Sequence, residues 1–225
     1  MSAIRRIAAL AALLGAGVLA GCGNSTDQGL VAKAVLSGLK PKPKVEMTPE
    51  QVNAAVAASL SQTDLPLALA SLEGRQATVI LANIESNGPY RTWGSSDRRT
   101  IITREGIVTA TRGLGSDIMS SSVGEVGPLV TARKTGAGRH VKRYLDGENH
   151  TQEQVANCQV TRGAAQRVSG GTLSNVAATE MVETCSVAGG VSFTNSYVVD
   201  GRGRVLKSRQ WLGEANGYIV LQALR

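Results

Sequence analysis

The chain has 225 residues and a mass of 23.4 kDa, which is room for one large domain or two small ones. Hydrophobic residues make up 42% of it and charged residues 18%, a balance that excludes wholesale disorder, and the formal net charge is +7. One Phe, four Tyr and two Trp beside 26 Gly predict an aliphatic core with many turns. Two His and three Cys are too few for a multi-ligand zinc cluster, so we expect neither a metal nor a cofactor.

The first segment has the layout of a signal peptide. Two arginines lie in residues 1–6, no charge follows in residues 7–19, and residues 19–22 read LAGC. A membrane span is the weaker interpretation, because a helix needs about 20 apolar residues to cross a bilayer and residues 7–22 contain three glycines.

LAGC resembles the lipobox of bacterial lipoproteins, in which the cysteine accepts lipid and becomes the first mature residue. The resemblance implies that residues 1–21 are cleaved and that Cys22 is lipidated; an ordinary signal peptide with a chance cysteine is the alternative. Several acyl chains would anchor the protein permanently to a membrane. Gly23 after the cysteine resembles the outer-membrane class, which implies an anchor facing the periplasm.

Cleavage and lipidation would also change the net charge of the mature chain and the number of its free cysteines. It removes Arg5 and Arg6 and lowers the net charge from +7 to +5, a modest excess that favours lipid headgroups or acidic polysaccharide over nucleic acid. Cys158 and Cys185 are then an even pair in an oxidising compartment, which predicts a disulfide between them. A redox-active pair would need the CxxC spacing that these residues lack.

Residues 22–47 are expected to form a tether, with a helical patch at residues 30–39 and KPKPK at residues 40–44. Its lysines could contact headgroups or simply be solvated. Thr48, Pro49 and Gln51 form a capping-box pattern that predicts the start of a helix. Its apolar stripe is Val52, Val56 and Leu60, and residues 64–66 end it.

From residue 77 onward, runs rich in Val, Ile and Thr are separated by turn signals at residues 87–89, 104–106, 146–149, 170–171, 189–190 and 200–203. This punctuation predicts an all-β domain over residues 48–225: an antiparallel curved sheet, or a sandwich or half-barrel, of long hairpins with one or two short N-terminal helices. No proline follows Pro128, which favours long ladders in the carboxyl half. The clearest hairpin joins residues 191–199 to residues 205–211.

No catalytic pattern stands out, and we predict that the protein is not an enzyme. His140 lies among Arg139, Lys142 and Arg143, and both it and His150 are expected at the surface. GLGSD at residues 113–117 and GRG at residues 201–203 lack the remaining features of phosphate loops. The acids that could serve glycoside cleavage are Asp97, Asp117, Glu180 and Glu183, which are expected on solvated faces.

Two features could contact a glycan or a partner. The first is a run of basic residues, Arg133, Lys134, Arg139, Lys142 and Arg143. Alternation along the strand divides these residues between its two faces, which favours a solvated loop and strand edge over a binding patch. The second is the pair Trp93 and Trp211, whose rings could stack on sugars or belong to the core. The candidate contacts are therefore Trp93, Trp211, Arg139, Lys142 and Arg143.

Residues 90–118 and 193–224 carry a family resemblance. The TRGLGSD segment, KSRQW at residues 207–211 and GYI at residues 217–219 resemble the YjbF/GfcB lipoproteins of group 4 capsule and exopolysaccharide operons, although residues 212–215 depart from the family pattern. The resemblance implies an all-β lipoprotein body and an accessory role in polysaccharide secretion, with export machinery or anionic polysaccharide as partner and no known active site. The alternatives are a binding module for a lipid-linked or amphipathic ligand and a polysaccharide-modifying enzyme, which would need two carboxylates or a Ser-His pair in one groove.

Overall fold

A computed structural model gives the structure of residues 47–75 and 77–225, and these residues form two α-helices, twelve β-strands and one short 3-10 turn. The helices are α1 (Pro49–Gln62) and α2 (Val126–Thr131). The strands are β1 (Leu67–Leu72), β2 (Ala77–Asn87), β3 (Tyr90–Gly94), β4 (Thr100–Arg104), β5 (Ile107–Arg112), β6 (Ser120–Ser122), β7 (Gly136–Leu145), β8 (Thr151–Gly170), β9 (Leu173–Val187), β10 (Ser192–Asp200), β11 (Val205–Gly213) and β12 (Gly217–Ala223). The signal peptide, Cys22, the tether and the helical patch at residues 30–39 lie outside the described residues.

All twelve strands belong to one antiparallel sheet, so the predicted fold class is confirmed as a curved half-barrel and not a two-sheet sandwich. The strand order is β5-β4-β3-β2-β1-β12-β11-β10-β9-β8-β7-β6, which places the last strand beside the first. Residues 113–119 connect the two edge strands, and the Met119 N–H donates to the Arg143 carbonyl at 2.8 Å. The sheet therefore curls until it is nearly closed, with an inner and an outer face.

Helix α1 begins where the capping box predicts. The Thr48 N–H donates to Gln51 Oε1 at 2.9 Å, and the Gln51 N–H donates to Thr48 Oγ1 at 3.3 Å. Val56 is buried, and Val52 and Leu60 pack beside it in a cluster that includes Leu67 and Leu224, residues next to or within β1 and β12. Among the described residues, neither helix has the length and apolarity needed to cross a bilayer.

The long hairpins of the carboxyl half are confirmed. Strand β8 has 20 residues and β9 has 15, and the turn between them contains Gly171 with φ +60°. A side chain at this glycine would meet the backbone of Leu224, so both the left-handed conformation and the close approach of the chain require glycine.

The inner face holds the core. One buried cluster includes Met181, Phe193 and Tyr197 together with Val126 and Val130 of α2. Helix α2 packs against β7, β8 and β10. A second buried cluster is aliphatic and contains Leu81, Ile101, Leu114, Leu212 and Ile219 among its members. The inner surface is therefore filled in the middle of the sheet, and open space remains toward one end.

Candidate functional site

A buried polar cluster lies inside the sheet and consists of Ser121, His140, Glu183, Asn195 and Tyr197. Strands β7, β9 and β10 supply the four buried members of this cluster, and the register places Glu183 directly opposite Asn195. Residues two apart on a strand share a face, so Tyr197 follows Asn195 inward. Ser121 comes from the short edge strand β6.

Hydrogen bonds join the whole cluster. The distance from Ser121 Oγ to His140 Nε2 is 2.9 Å, and the distance from His140 Nδ1 to Glu183 Oε1 is 2.8 Å. Asn195 Nδ2 and the Tyr197 hydroxyl donate to Glu183 Oε2 at 2.8 and 2.7 Å. His140 is 2% exposed and Glu183 is 0% exposed, so both carboxylate oxygens find their partners inside the protein.

Burial and these hydrogen bonds shift the pKa values of the ionisable groups in and beside the cluster. Burial disfavours the charged form of Glu183, but the hydrogen bonds from His140, Asn195 and Tyr197 and the charge of His140 outweigh it and hold the pKa of Glu183 below its usual range. Burial and the neighbouring carboxylate raise the pKa of Tyr197 well above its usual value. Burial lowers the pKa of Lys142 to about 8, an effect that Glu183 partly offsets.

Two predictions about β7 are wrong. His140, expected at the surface, is buried, and Lys142, expected on a solvated strand edge, is only 3% exposed. The Lys142 ammonium donates to the Trp211 carbonyl and lies 4.7 Å from the centre of the Phe193 ring. Residues on strands distant in sequence form hydrogen bonds with both side chains. The charged residues next to them in the sequence give no sign of these partners. The prediction for His150 is confirmed, because its side chain is 69% exposed.

The predicted disulfide is present. Cys158 and Cys185 lie directly opposite each other on β8 and β9, and both are buried. One ligand atom from each of these cysteines, from His140 and from Glu183 lies within 4.8 Å of the others. Because the two sulfurs are bonded to each other, they are not free thiolate ligands, and one histidine and one carboxylate remain.

Glu183 is buried, so the expectation that it lies on a solvated face is wrong.

Asp117 and Asp97, two other acids named from the sequence, form local contacts. Asp117 accepts hydrogen bonds from the Thr111 hydroxyl and from the Gly113 and Leu114 N–H groups at 2.8 to 3.1 Å, so the TRGLGSD segment is a self-bonded loop. Asp97 pairs with Arg99 at 3.2 Å. Gln210 of the KSRQW segment accepts from the Val108 N–H at 2.8 Å, which ties β11 to β5 across the interior. These motif residues stabilise the fold.

A cavity of about 680 Å³ opens at one end of the sheet, where the β2–β3, β4–β5 and β10–β11 turns meet the carboxyl end of β12; we call it the mouth cavity. Its lining includes Arg91, Trp93, Thr103, Glu105, Arg202, Arg204, Val205, Leu206 and Arg225. An apolar recess of about 50 Å³ continues from it past Trp93 and Leu206 toward Leu221. The volume lies within the usual range for small-molecule sites.

Positive charge dominates the mouth cavity, because four arginines and one glutamate line it. Arg204 pairs with Asp200 at 2.8 Å, and Arg225 donates to the Leu60 carbonyl at 2.8 Å. Arg91 and Arg202 are exposed and form no ion pair with any acid among the described residues. The cavity thus presents to solvent two guanidinium groups that pair with no acid in the part of the chain that the structure describes.

The candidate contacts predicted from the sequence are divided between different places. Trp93 lines the mouth cavity, and its indole N–H donates to Thr103 Oγ1 at 3.0 Å. Trp211 packs between Phe193 and Tyr218, with ring centroids 6.4 and 5.0 Å away, and does not line the cavity. Arg139 and Arg143 lie outside the cavity and pair with Glu125 and Glu153 at 3.9 and 2.6 Å.

The chain matches known proteins in two comparisons. Residues 31–224 match the family model described as "Group 4 capsule polysaccharide lipoprotein gfcB, YjbF". The fold is similar to the crystal structure of the hypothetical lipoprotein YmcC from Escherichia coli K12, with a TM-score of 0.64 and 16% identity over 90% of this chain and 97% of that one. No curated protein matches the chain. The protein therefore belongs to the YjbF family of group 4 capsule polysaccharide lipoproteins.

Proposed function

We propose that the protein is a periplasmic accessory of capsule or exopolysaccharide secretion, anchored to the outer membrane by lipid on Cys22. Family membership makes it a capsule-related lipoprotein of the cell envelope, and the match over residues 31–224 is the observation that carries the proposal. The LAGC sequence at residues 19–22 supports the anchor. On this proposal residues 1–21 are removed, residues 22–47 form the tether, and residues 48–225 form one periplasmic domain.

The accessory role is proposed as non-enzymatic. Ser121, His140 and Glu183 follow the order of a hydrolytic triad, with the serine on one ring nitrogen and the acid on the other. The histidine and the acid are buried, and no residue of the polar cluster lines the mouth cavity. Side chains of β7 and β10 engage both oxygens of Glu183 on β9, an arrangement that favours a structural role in holding these three strands together.

The second candidate function is a binding module for a lipid-linked or amphipathic ligand. The open volume of the mouth cavity favours a binding role. The two candidates are compatible if the bound ligand is part of the exported polymer.

Deletion and complementation test the proposal. Cell-surface and released polysaccharide are measured in a deletion strain that carries the wild-type chain, Cys22→Ala or Ser121→Ala, with immunoblots showing that each variant accumulates. We expect loss of polymer on deletion, rescue by wild type and Ser121→Ala, and no rescue by Cys22→Ala. Unchanged polymer in the deletion strain would refute the secretion role. Failure of Ser121→Ala alone, at normal protein level, would refute the non-enzymatic role.

A further inference from the structure

We propose that the mouth cavity binds an acidic segment of the exported polysaccharide, with Arg91 and Arg202 contacting sugar carboxylates and Trp93 contacting a sugar ring. This inference rests on the proposed function and names the ligand class and the residues that bind it. From the sequence alone, the GRG segment that contains Arg202 was set aside and Arg91 was not named, and the site lies away from the basic run on β7.

The charges favour an anion. Arg204 and Arg225 already have partners within the protein, whereas Arg91 and Arg202 are exposed and form no ion pair with a described acid. Guanidinium groups match carboxylates with two parallel hydrogen bonds, which makes arginine well suited to recognise acidic sugars. Glu105 is the one acidic side chain among the described residues that line the cavity, so their summed charge is positive.

The shape favours a sugar over a lipid. The cavity of about 680 Å³ is large enough for an oligosaccharide segment, whereas the apolar recess of about 50 Å³ has room for only a few water molecules and not for an acyl chain. The amphipathic ligand expected as an alternative would need a deeper apolar channel. The half-buried Trp93 ring supplies one apolar surface, as expected for a saccharide site.

The arrangement of the strands explains why these residues meet. In an antiparallel meander every second turn lies at the same end of the sheet, so the β2–β3 turn and the β10–β11 turn are brought together although residues 91 and 202 are far apart in sequence. The hydrogen-bonded ladders fix the backbone positions of both turns.

Binding by the full chain, purified in detergent, tests the inference. The probes are short oligosaccharides released from the producing cell's own polysaccharide and the same oligosaccharides after reduction of their carboxylates to alcohols. The protein carries Trp211→Phe, so that Trp93 alone reports binding through its fluorescence. We expect the acidic probe to change this fluorescence and to bind about tenfold more tightly than the reduced probe.

Two double variants locate the site while changing net charge equally. Arg91→Gln/Arg202→Gln should weaken binding about tenfold, whereas Arg139→Gln/Arg143→Gln, on the basic run, should leave it within about twofold. Thermal unfolding followed by circular dichroism checks that all variants are folded.

Four results would overturn the inference: equal binding of both probes, equal losses in the two double variants, no change in Trp93 fluorescence on addition of the acidic probe, or a polymer that contains no acidic sugar. Binding to vesicles that contain phosphatidylglycerol is measured with the same double variants. If Arg91→Gln/Arg202→Gln weakens vesicle binding more than glycan binding, the cavity binds a membrane surface and not the polysaccharide. Because binding is measured with purified protein, its failure leaves the deletion test of the secretion role intact.

Discussion

Replacing Glu183 tests whether the buried polar cluster holds the sheet together. In Glu183→Met a side chain of similar length removes the acceptor for His140, Asn195 and Tyr197, and all three donors are buried. Each unsatisfied buried donor costs about 1–3 kcal/mol, so the loss of an acceptor shared by three buried donors costs up to a few times that of one bond. Because the lost bonds overlap, we expect the free energy of unfolding to fall by about 3–5 kcal/mol, and Tm by roughly 6–20 °C.

Two further variants make the test specific. Glu183→Gln keeps one oxygen acceptor and should cost less, about 1–2 kcal/mol. Glu153→Gln is the matched control, because Glu153 also pairs with a cation, Arg143, but both side chains are more than 40% exposed. It should cost less than about 0.5 kcal/mol. The assay is urea unfolding followed by circular dichroism; a loss for Glu183→Met within about 1 kcal/mol of the control would refute the structural role of the cluster.

Three other predictions concern stability. The double change Cys158→Ala/Cys185→Ala removes a cross-link between residues 27 apart and should lower the free energy of unfolding by on the order of 3 kcal/mol in urea titrations, so a loss below about 1 kcal/mol would contradict it. Burial would raise the pKa of Asp200, but hydrogen bonds from residues 202 and 204 hold it below the usual value; its stabilisation is therefore present above the unfolded pKa of about 3.9 and is lost as the pH falls through the folded value. Urea unfolding at decreasing pH should accordingly show a shallower acid loss for Asp200→Asn than for wild type, and equal slopes would contradict this. Thr48→Ala removes the capping oxygen of α1 and should destabilise the helix by about 1 kcal/mol, visible as lower helical ellipticity, whereas unchanged ellipticity would count against the cap.

Local sequence signals predicted much of the fold because hairpin turns and helix caps depend on a few residues each. The glycine and proline clusters located most of the turns, and the capping box located α1. Strand β1 was missed because its sequence, LALASL, consists mainly of residues that favour helices, and it is a strand only because β2 and β12 pair with it. Helix α2 was missed because Gly127 and Pro128 predict a turn, whereas burial of Val126 and Val130 stabilises the helix.

The site was less predictable because its residues meet only through topology. The Glu183 acceptor that makes a buried His140 favourable lies 43 residues further along the chain, while the positive neighbours of His140 predict exposure. Arg91 lies beside the turn at residues 87–89 and Arg202 lies within the turn at residues 200–203, and the sequence reveals both turns. The sequence does not reveal the strand order. With that order known, the alternation of turns in a meander places both arginines at one end of the sheet.

The most direct test of the account is the amount of polysaccharide on the surface and in the medium of cells whose chromosomal copy carries Arg91→Gln/Arg202→Gln, compared with cells that carry Arg139→Gln/Arg143→Gln. Both variants remove two positive charges, so only the position differs. We expect reduced export with the cavity variant and normal export with the β7 variant, at equal protein levels. Normal export with the cavity variant, or equal losses with both, would contradict it.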